Sequence, residues 1–264
     1  MTDNKIKLID THFHVWNLDK QNLPWLEDVP ALKKSYLIED YINEYKKLDN
    51  VILEGGIYVE VDSDNPILED EILYEEKANN DKILAIVARS KVSPTMRVPL
   101  FATGIRQPLH TGDAPKGMCL EDSFIEGIKE LTKNNMTFDS CNRVDELSDL
   151  VKMMEKTPNA KVVLNHLGNV EGLTDEYKNN MKALAKFPNL YVKVSGYKTE
   201  DKEFVRDLLS FVKDTFAKDR LIYASNWPVI NIYSNLKEHI DLLIESFGND
   251  EDFFYNNAKE CYGL

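Results

Sequence analysis

Cysteine is scarce: Cys119, Cys141 and Cys261 stand far apart in a chain of 264 residues. An odd, widely spaced set builds neither a disulfide framework nor a zinc ribbon, and it fits a reducing cytosol. Cations are in the minority, 32 Lys and Arg against 45 Asp and Glu, for a net charge of −13. A nucleic-acid or anionic-membrane surface needs clustered Lys and Arg, so neither partner is expected. No apolar run approaches the roughly 18 residues of a membrane span. The opening MTDNKIKLID also lacks the apolar core of an export signal. No Gly/Ser/Pro linker or low-complexity tract divides the chain, so one domain over 1–264 is expected.

What is present is an alternation. Short β-rich runs at 6–10, 51–61, 82–90, 101–109, 136–141, 160–168, 190–196 and 220–228 are separated by charged amphipathic stretches. Those stretches read as helices at about 37–48, 66–79, 122–134, 144–156, 174–187, 201–217, 233–247 and 250–261. Only the connection after the third run is helix-poor. Eight such units close most naturally into an α/β (β/α)8 TIM barrel. An open doubly wound sheet is the alternative, but it would carry a glycine-rich phosphate turn after its first strand, and none is there.

In a barrel of this kind the reacting groups sit at the carboxyl ends of the strands. Those ends carry Asp10, His12 and His14, then Glu60, Arg89, Arg106, Asp139, His166, Lys193 with Ser195, and Asn226. Taken singly, each is better explained as a solvated loop residue; together they indicate one site assembled from many strands. His12 and His14 are two apart on an extended chain and face the same side. With His166 they supply three imidazoles for one divalent metal, zinc or manganese, to which Glu60 or Asp139 can add a carboxylate. His239 falls within a helix and reads as structural or exposed. Ser195 lacks the G-x-S-x-G turn of a serine hydrolase.

DTHFHVW, GIRQPLH, MTFDSC, the NHLG turn, VKVSGY, SNWPV and FFYNNAKECYG, in this order, resemble the amidohydrolase superfamily. The nearest branch is that of sugar-acid lactonases and pyrone-dicarboxylate lactonase. The resemblance implies a barrel hydrolase that opens a small lactone with water, using one divalent metal or none. By motif match it makes His12 and His14 the first-strand pair and His166 the histidine after strand six. It makes Arg106 a substrate-contacting arginine and His110 a second polar group on the same loop. Trp16 and Trp227 are candidates for the floor under a sugar-like ring, and Asp139 for a substrate contact.

Three departures stand out. The last motif of the family reads S-D-W-P, where the aspartate ligates metal or activates water; here the residue is Asn226, an amide that takes no proton near neutral pH. Asn165 stands where an aspartate often precedes the histidine, and the third connection is short. The asparagine is read first as a sign that another base acts, with Glu60, Asp139 or His166 as candidates. It also fits a barrel that binds sugar acids without turning them over, or an engineered substrate trap. A metal-dependent decarboxylase is a further reading, disfavoured by the missing aspartate. The expected partner is a small lactone; a homo-oligomer is left open.

Overall fold

The computed structural model describes residues 5–264. Eight parallel strands follow one another in sequence order around a single sheet. They are β1 (Ile6–Phe13), β2 (Val51–Val59), β3 (Ile83–Arg89), β4 (Gly104–Arg106), β5 (Thr137–Ser140), β6 (Lys161–Leu164), β7 (Leu190–Val194) and β8 (Leu221–Tyr223). The ring closes where the chain beyond β8 meets β1. His14 N donates to Trp227 O and Asn226 N to His12 O, both at 2.8 Å. Helices Ile38–Lys46, Pro66–Asn79, Asp122–Lys133, Leu147–Lys156, Asp175–Leu184, Lys202–Thr215 and Leu236–Phe247 pack outside, making this a (β/α)8 TIM barrel. Asn65, Thr174, Asp201 and Asn235 each cap the start of a helix with a side-chain oxygen. Among the described residues no helix is long and apolar enough to cross a membrane.

The strands bury both faces, which is why their interiors are almost continuous Val, Ile, Leu and Ala. Leu8, Ile86, Val162, Val192 and Tyr223 face the helices. Ile9, Ile57, Val59, Val87, Val163 and Ile222 fill the barrel. The final helix, Asn257–Tyr262, closes the amino-terminal pole: Ala258, Cys261 and Tyr262 join that inner cluster. Lys161, at the start of β6, reaches the Cys261 carbonyl.

Two local breaks in regularity set up the other pole. The β1–β2 register slips between Asp10 and Phe13, so the strict alternation read from the sequence fails there. Asp10 turns outward and accepts from Tyr41, Tyr45 and Ser225, a clasp on the ring closure, whereas His12 and His14 turn inward. Strand β6 stops at Leu164, sooner than its apolar pattern suggests, because the chain enters a left-handed turn at His166.

Candidate active site

The carboxyl-terminal pole opens into a cavity of about 330 Å³. His14, Arg106, His110, Cys141, His166, Asn226, Trp25 and Tyr233 are among the residues that line it. Of the residues expected from the sequence, five converge here: His14, Arg106, His110, His166 and Asn226.

His166 is aimed by strain. Residues 166–169 all lie in the left-handed region, with φ of 54° at His166, 52° at Leu167 and 55° at Asn169. A left-handed conformation costs a non-glycine residue roughly 1–2 kcal/mol, and such residues gather at functional sites. Ser195 Oγ holds His166 Nδ1 at 2.9 Å, and a Cβ on Gly196 would come within 2.4 Å of the His166 Cβ. Only glycine lets β7 end this close behind the imidazole. Asn226, φ 59°, is likewise left-handed, and its amide nitrogen donates to the Tyr233 hydroxyl at 3.2 Å.

Arg106 projects from β4, fastened by a buried partner. Its Nε pairs with Glu60 Oε1, and its Nη2 donates to the Glu60 carbonyl at 2.6 Å. The other Glu60 oxygen accepts from Asp62 N at 2.7 Å. Glu60, fully buried, is therefore not a base facing the cavity as expected; it is the anchor that orients Arg106 and compensates its charge.

Asp139 also departs from expectation. It points into the barrel, fully buried, and accepts from Lys193 Nζ at 2.5 Å, Asn165 Nδ2 at 3.0 Å and Tyr262 OH at 3.3 Å. It cannot reach a substrate. Lys193 is equally buried, and its ammonium also meets His12 Nδ1 at 3.3 Å. Beyond it, His12 Nε2 faces His14 Nε2 at 3.1 Å, and His14 Nδ1 donates to the Val59 carbonyl at 2.7 Å. His12 lies behind His14 and takes no part in the cavity wall. Trp16 and Trp227 are core rather than floor: Trp16 packs on Trp25 and Tyr36, and Trp227 on Tyr36 and Tyr41. The aromatic walls are Trp25, whose Nε1 donates to the Val61 carbonyl at 2.8 Å, and Tyr233.

Burial dominates the electrostatics. It pushes His12 and His166 well below the ordinary imidazole range and His14 to about 3, with Lys193 and Arg106 adding to the effect. All three rings are neutral at pH 7. Burial also lowers Lys193, against the pull of Asp139. Cys141 behaves differently: burial alone would raise it, yet His110 and Arg106 bring it down to about 7, and His110 rises in return. Asn169 Nδ2 donates to its sulfur at 3.5 Å.

The three-imidazole metal set does not survive these contacts. Among the described residues no group of three or more His, Cys, Asp or Glu side chains is placed to hold a metal. The carboxylates offered for it are engaged elsewhere, Glu60 by Arg106 and Asp139 by Lys193. An ammonium against His12 Nδ1 is a further misfit. The residues present do not suit a zinc or manganese ion.

A family model described as amidohydrolase matches residues 99–264, well over half of the chain. This chain belongs to the amidohydrolase family. Among solved structures, Amidohydrolase 2 from Bifidobacterium longum subsp. infantis is 42% identical, with a TM-score of 0.91 over 98% of this chain and 100% of that one. An amidohydrolase from Burkholderia multivorans with bound zinc shares the fold at 20% identity and a TM-score of 0.83, over 97% and 99% of the two chains. An L-rhamnono-gamma-lactonase from Scheffersomyces stipitis is 24% identical, over 99% of this chain and 100% of its own. An L-fucono-1,5-lactonase from Burkholderia ambifaria is 23% identical, over 88% and 83%.

Among the lining residues that the sequence did not single out are Trp25, Cys141, Asn169 and Tyr233. MTFDSC contains Cys141 and Asn169 directly follows NHLG, so motif neighbourhood was a usable signal there. Nothing in a polar-proline stretch marks Trp25 as a wall.

Proposed function

We propose that this amidohydrolase opens the ring of a small, uncharged, polyhydroxylated lactone by adding water to its carbonyl. The observation that carries this reading is the union, in one cavity, of a fastened guanidinium and an imidazole nitrogen with no partner among the described residues. Arg106 commits Nε and Nη2 to Glu60, which leaves Nη1 for the substrate. His166 is held through Nδ1 alone.

With Nδ1–H donated to Ser195, His166 Nε2 carries a lone pair and accepts a proton from the attacking water. The Asn226 amide oxygen orients that water, since its nitrogen is bound to Tyr233. Addition places negative charge on the former carbonyl oxygen, and Arg106 Nη1 stabilises it as it forms, usually the largest single contribution to such a reaction. Collapse expels the ring oxygen, which recovers the proton from His166. Ser195 is buried behind the imidazole and is a support for it, not a nucleophile.

The substrate class follows from compensation of charge. Arg106 is neutralised by Glu60 and Lys193 by Asp139, and Asp62 at the cavity adds an anion paired to Arg89. Among the described residues a dicarboxylate would meet no free cation deep in the site. Trp25 and Tyr233 instead offer ring faces and a hydroxyl to a sugar-like ring. The lactonase names borne by two relatives agree with this choice.

The test is a panel of neutral aldonolactones beside pyrone and muconate-type carboxylated lactones, followed by proton release. Ring opening of a neutral member, lost in His166→Gln, is the expected result. Turnover confined to carboxylated substrates would refute the substrate class, and binding without turnover would refute catalysis.

A further inference from the structure

We propose that Lys193 is a positioning residue that wires His12 and His14 into a hydrogen-bonded pair and so removes them as a metal clamp. In isolation the pair has the form of a clamp: two inward imidazoles, one on β1 and one just past its end, with their Nε2 atoms 3.1 Å apart. The decision lies at the two ends of the chain of contacts that runs through them.

Each end is a group with only one role. The Val59 carbonyl can only accept, so His14 Nδ1, 2.7 Å away, carries a proton. An ammonium can only donate, so His12 Nδ1, 3.3 Å from Lys193 Nζ, carries a lone pair. A neutral imidazole has one N–H. His14 Nε2 is therefore bare, and His12 Nε2 bears the proton and donates it to His14. Both ends demand the same arrangement, and no ring nitrogen between them is left unassigned.

An ion between the two Nε2 atoms needs a lone pair from each, and His12 has none to give there. Lys193 and a bound metal are thus exclusive alternatives at this pair. The lysine itself is fixed: Asp139 holds it at 2.5 Å, Tyr262 places its ring 5.7 Å from the ammonium, and Lys193 and Asp139 are fully buried. Outer partners that set a ligand histidine's tautomer commonly favour metal binding by leaving the inward nitrogen bare. Here the partner of His14 does so and the partner of His12 does the opposite.

The inference rests on these contacts and not on the lactone reading, so its test uses no turnover. Chelator-treated protein labelled with nitrogen-15 at histidine is examined by long-range proton–nitrogen correlation, with His12→Gln and His14→Gln spectra for assignment. The expected result is a protonated Nε2 on His12 and a protonated Nδ1 on His14. A protonated Nδ1 on His12 overturns the proposal. In parallel, zinc uptake is followed by equilibrium dialysis with metal analysis for the natural protein and for Lys193→Met/Asp139→Leu, which removes both charges together. The double variant is expected to gain zinc affinity by roughly tenfold or more and to move the His12 proton to Nδ1. Equal affinity in the two proteins, or one tightly held zinc in the natural one, overturns the proposal. Should the double variant fail to fold, the spectrum of the natural protein still decides.

Discussion

Two buried ion pairs divide the labour of this barrel. Lys193–Asp139 is sealed on the axis, between the plug residue Tyr262 and His12, with both side chains at 0% exposure. Arg106–Glu60 stands at the open pole, where the arginine retains 7% exposure and lines the cavity. The chemistry is similar and the consequence is opposite. A sealed pair can act only on its neighbours, by fixing how protons are placed on them. A pair at a cavity wall can present one face to a ligand while the other is held. Burial alone therefore does not say whether a charge is functional; what matters is which of its donors lack a protein partner.

The largest expected effect lies at neither pair but beside the open one. His166→Gln keeps the size and polarity of the side chain and removes the proton acceptor, so kcat/KM for the best lactone should fall by about 10²–10⁴, with the circular dichroism spectrum and melting curve retained. A variant that remains within a few-fold of the natural rate would place the base elsewhere, and the open pole would then be a binding surface only.

Removing one member of each pair should separate their roles. Lys193→Met leaves Asp139 charged and enclosed, and urea unfolding should show a loss of about 3–5 kcal/mol. The matched replacement Lys193→Met/Asp139→Leu should recover most of it, since swapping a whole buried pair for apolar residues is often near neutral. Arg106→Met leaves Glu60 beside the cavity and its water, so its stability loss should be smaller. Its rate loss should be larger, about 10²–10³ in kcat, as for other lost stabilisers of a developing oxyanion. If both single variants lost stability alike and rate alike, the division drawn between the pairs would collapse.

Much of this was legible in the sequence, for physical reasons that can be named. The alternation of buried strands with amphipathic helices fixes a (β/α)8 barrel, because few other folds bury so many two-sided strands. His14, Arg106, His166 and Asn226 were visible because strand ends converge in that fold whatever their distance along the chain. What stayed hidden depended on pairings across the barrel. Glu60 and Asp139 look like free acids until β4 brings Arg106 to one and β7 brings Lys193 to the other. Asp10 seems to belong with the rim until the slip in the β1–β2 register turns it to Tyr41 and Tyr45. Trp16 and Trp227 flank the site in sequence, yet an indole packed on all sides is as consistent with that position as one facing a sugar. The metal question shows the same limit most clearly: an H-x-H pair carries no sign of the ammonium that sets its tautomer.

A smaller effect should follow from freeing the arginine at the open pole. Glu60→Gln keeps a hydrogen-bond acceptor for Arg106 Nε while removing the compensating charge. The guanidinium then faces the cavity as a net cation, and the ratio of kcat/KM for a carboxylated over a neutral lactone should rise about tenfold, the equivalent of roughly 1.4 kcal/mol. An unchanged ratio would mean that Glu60 contributes orientation and no charge selection.

The two poles also hold a thiol each, and these give the finest test of the contrast. Cys261 is packed in the plug, where burial raises its pKa far above the ordinary thiol range. Cys119, outside the site, is likewise pushed up by burial, to about 12. Cys141 at the cavity is brought to about 7 by His110 and Arg106 despite its burial. A lowered thiol pKa means that the thiolate, the reactive form, is populated above that value and lost below it. Iodoacetamide should therefore label Cys141 alone in the folded protein, at a rate that climbs through pH 7 and levels off by about pH 8. His110→Gln should shift that midpoint upward by removing the largest of the influences that lower it. Intact-mass and peptide mapping would read the outcome. Equal labelling of Cys141 and Cys261 would show that the plug admits reagent as readily as the rim, and the sealed axis would not be sealed.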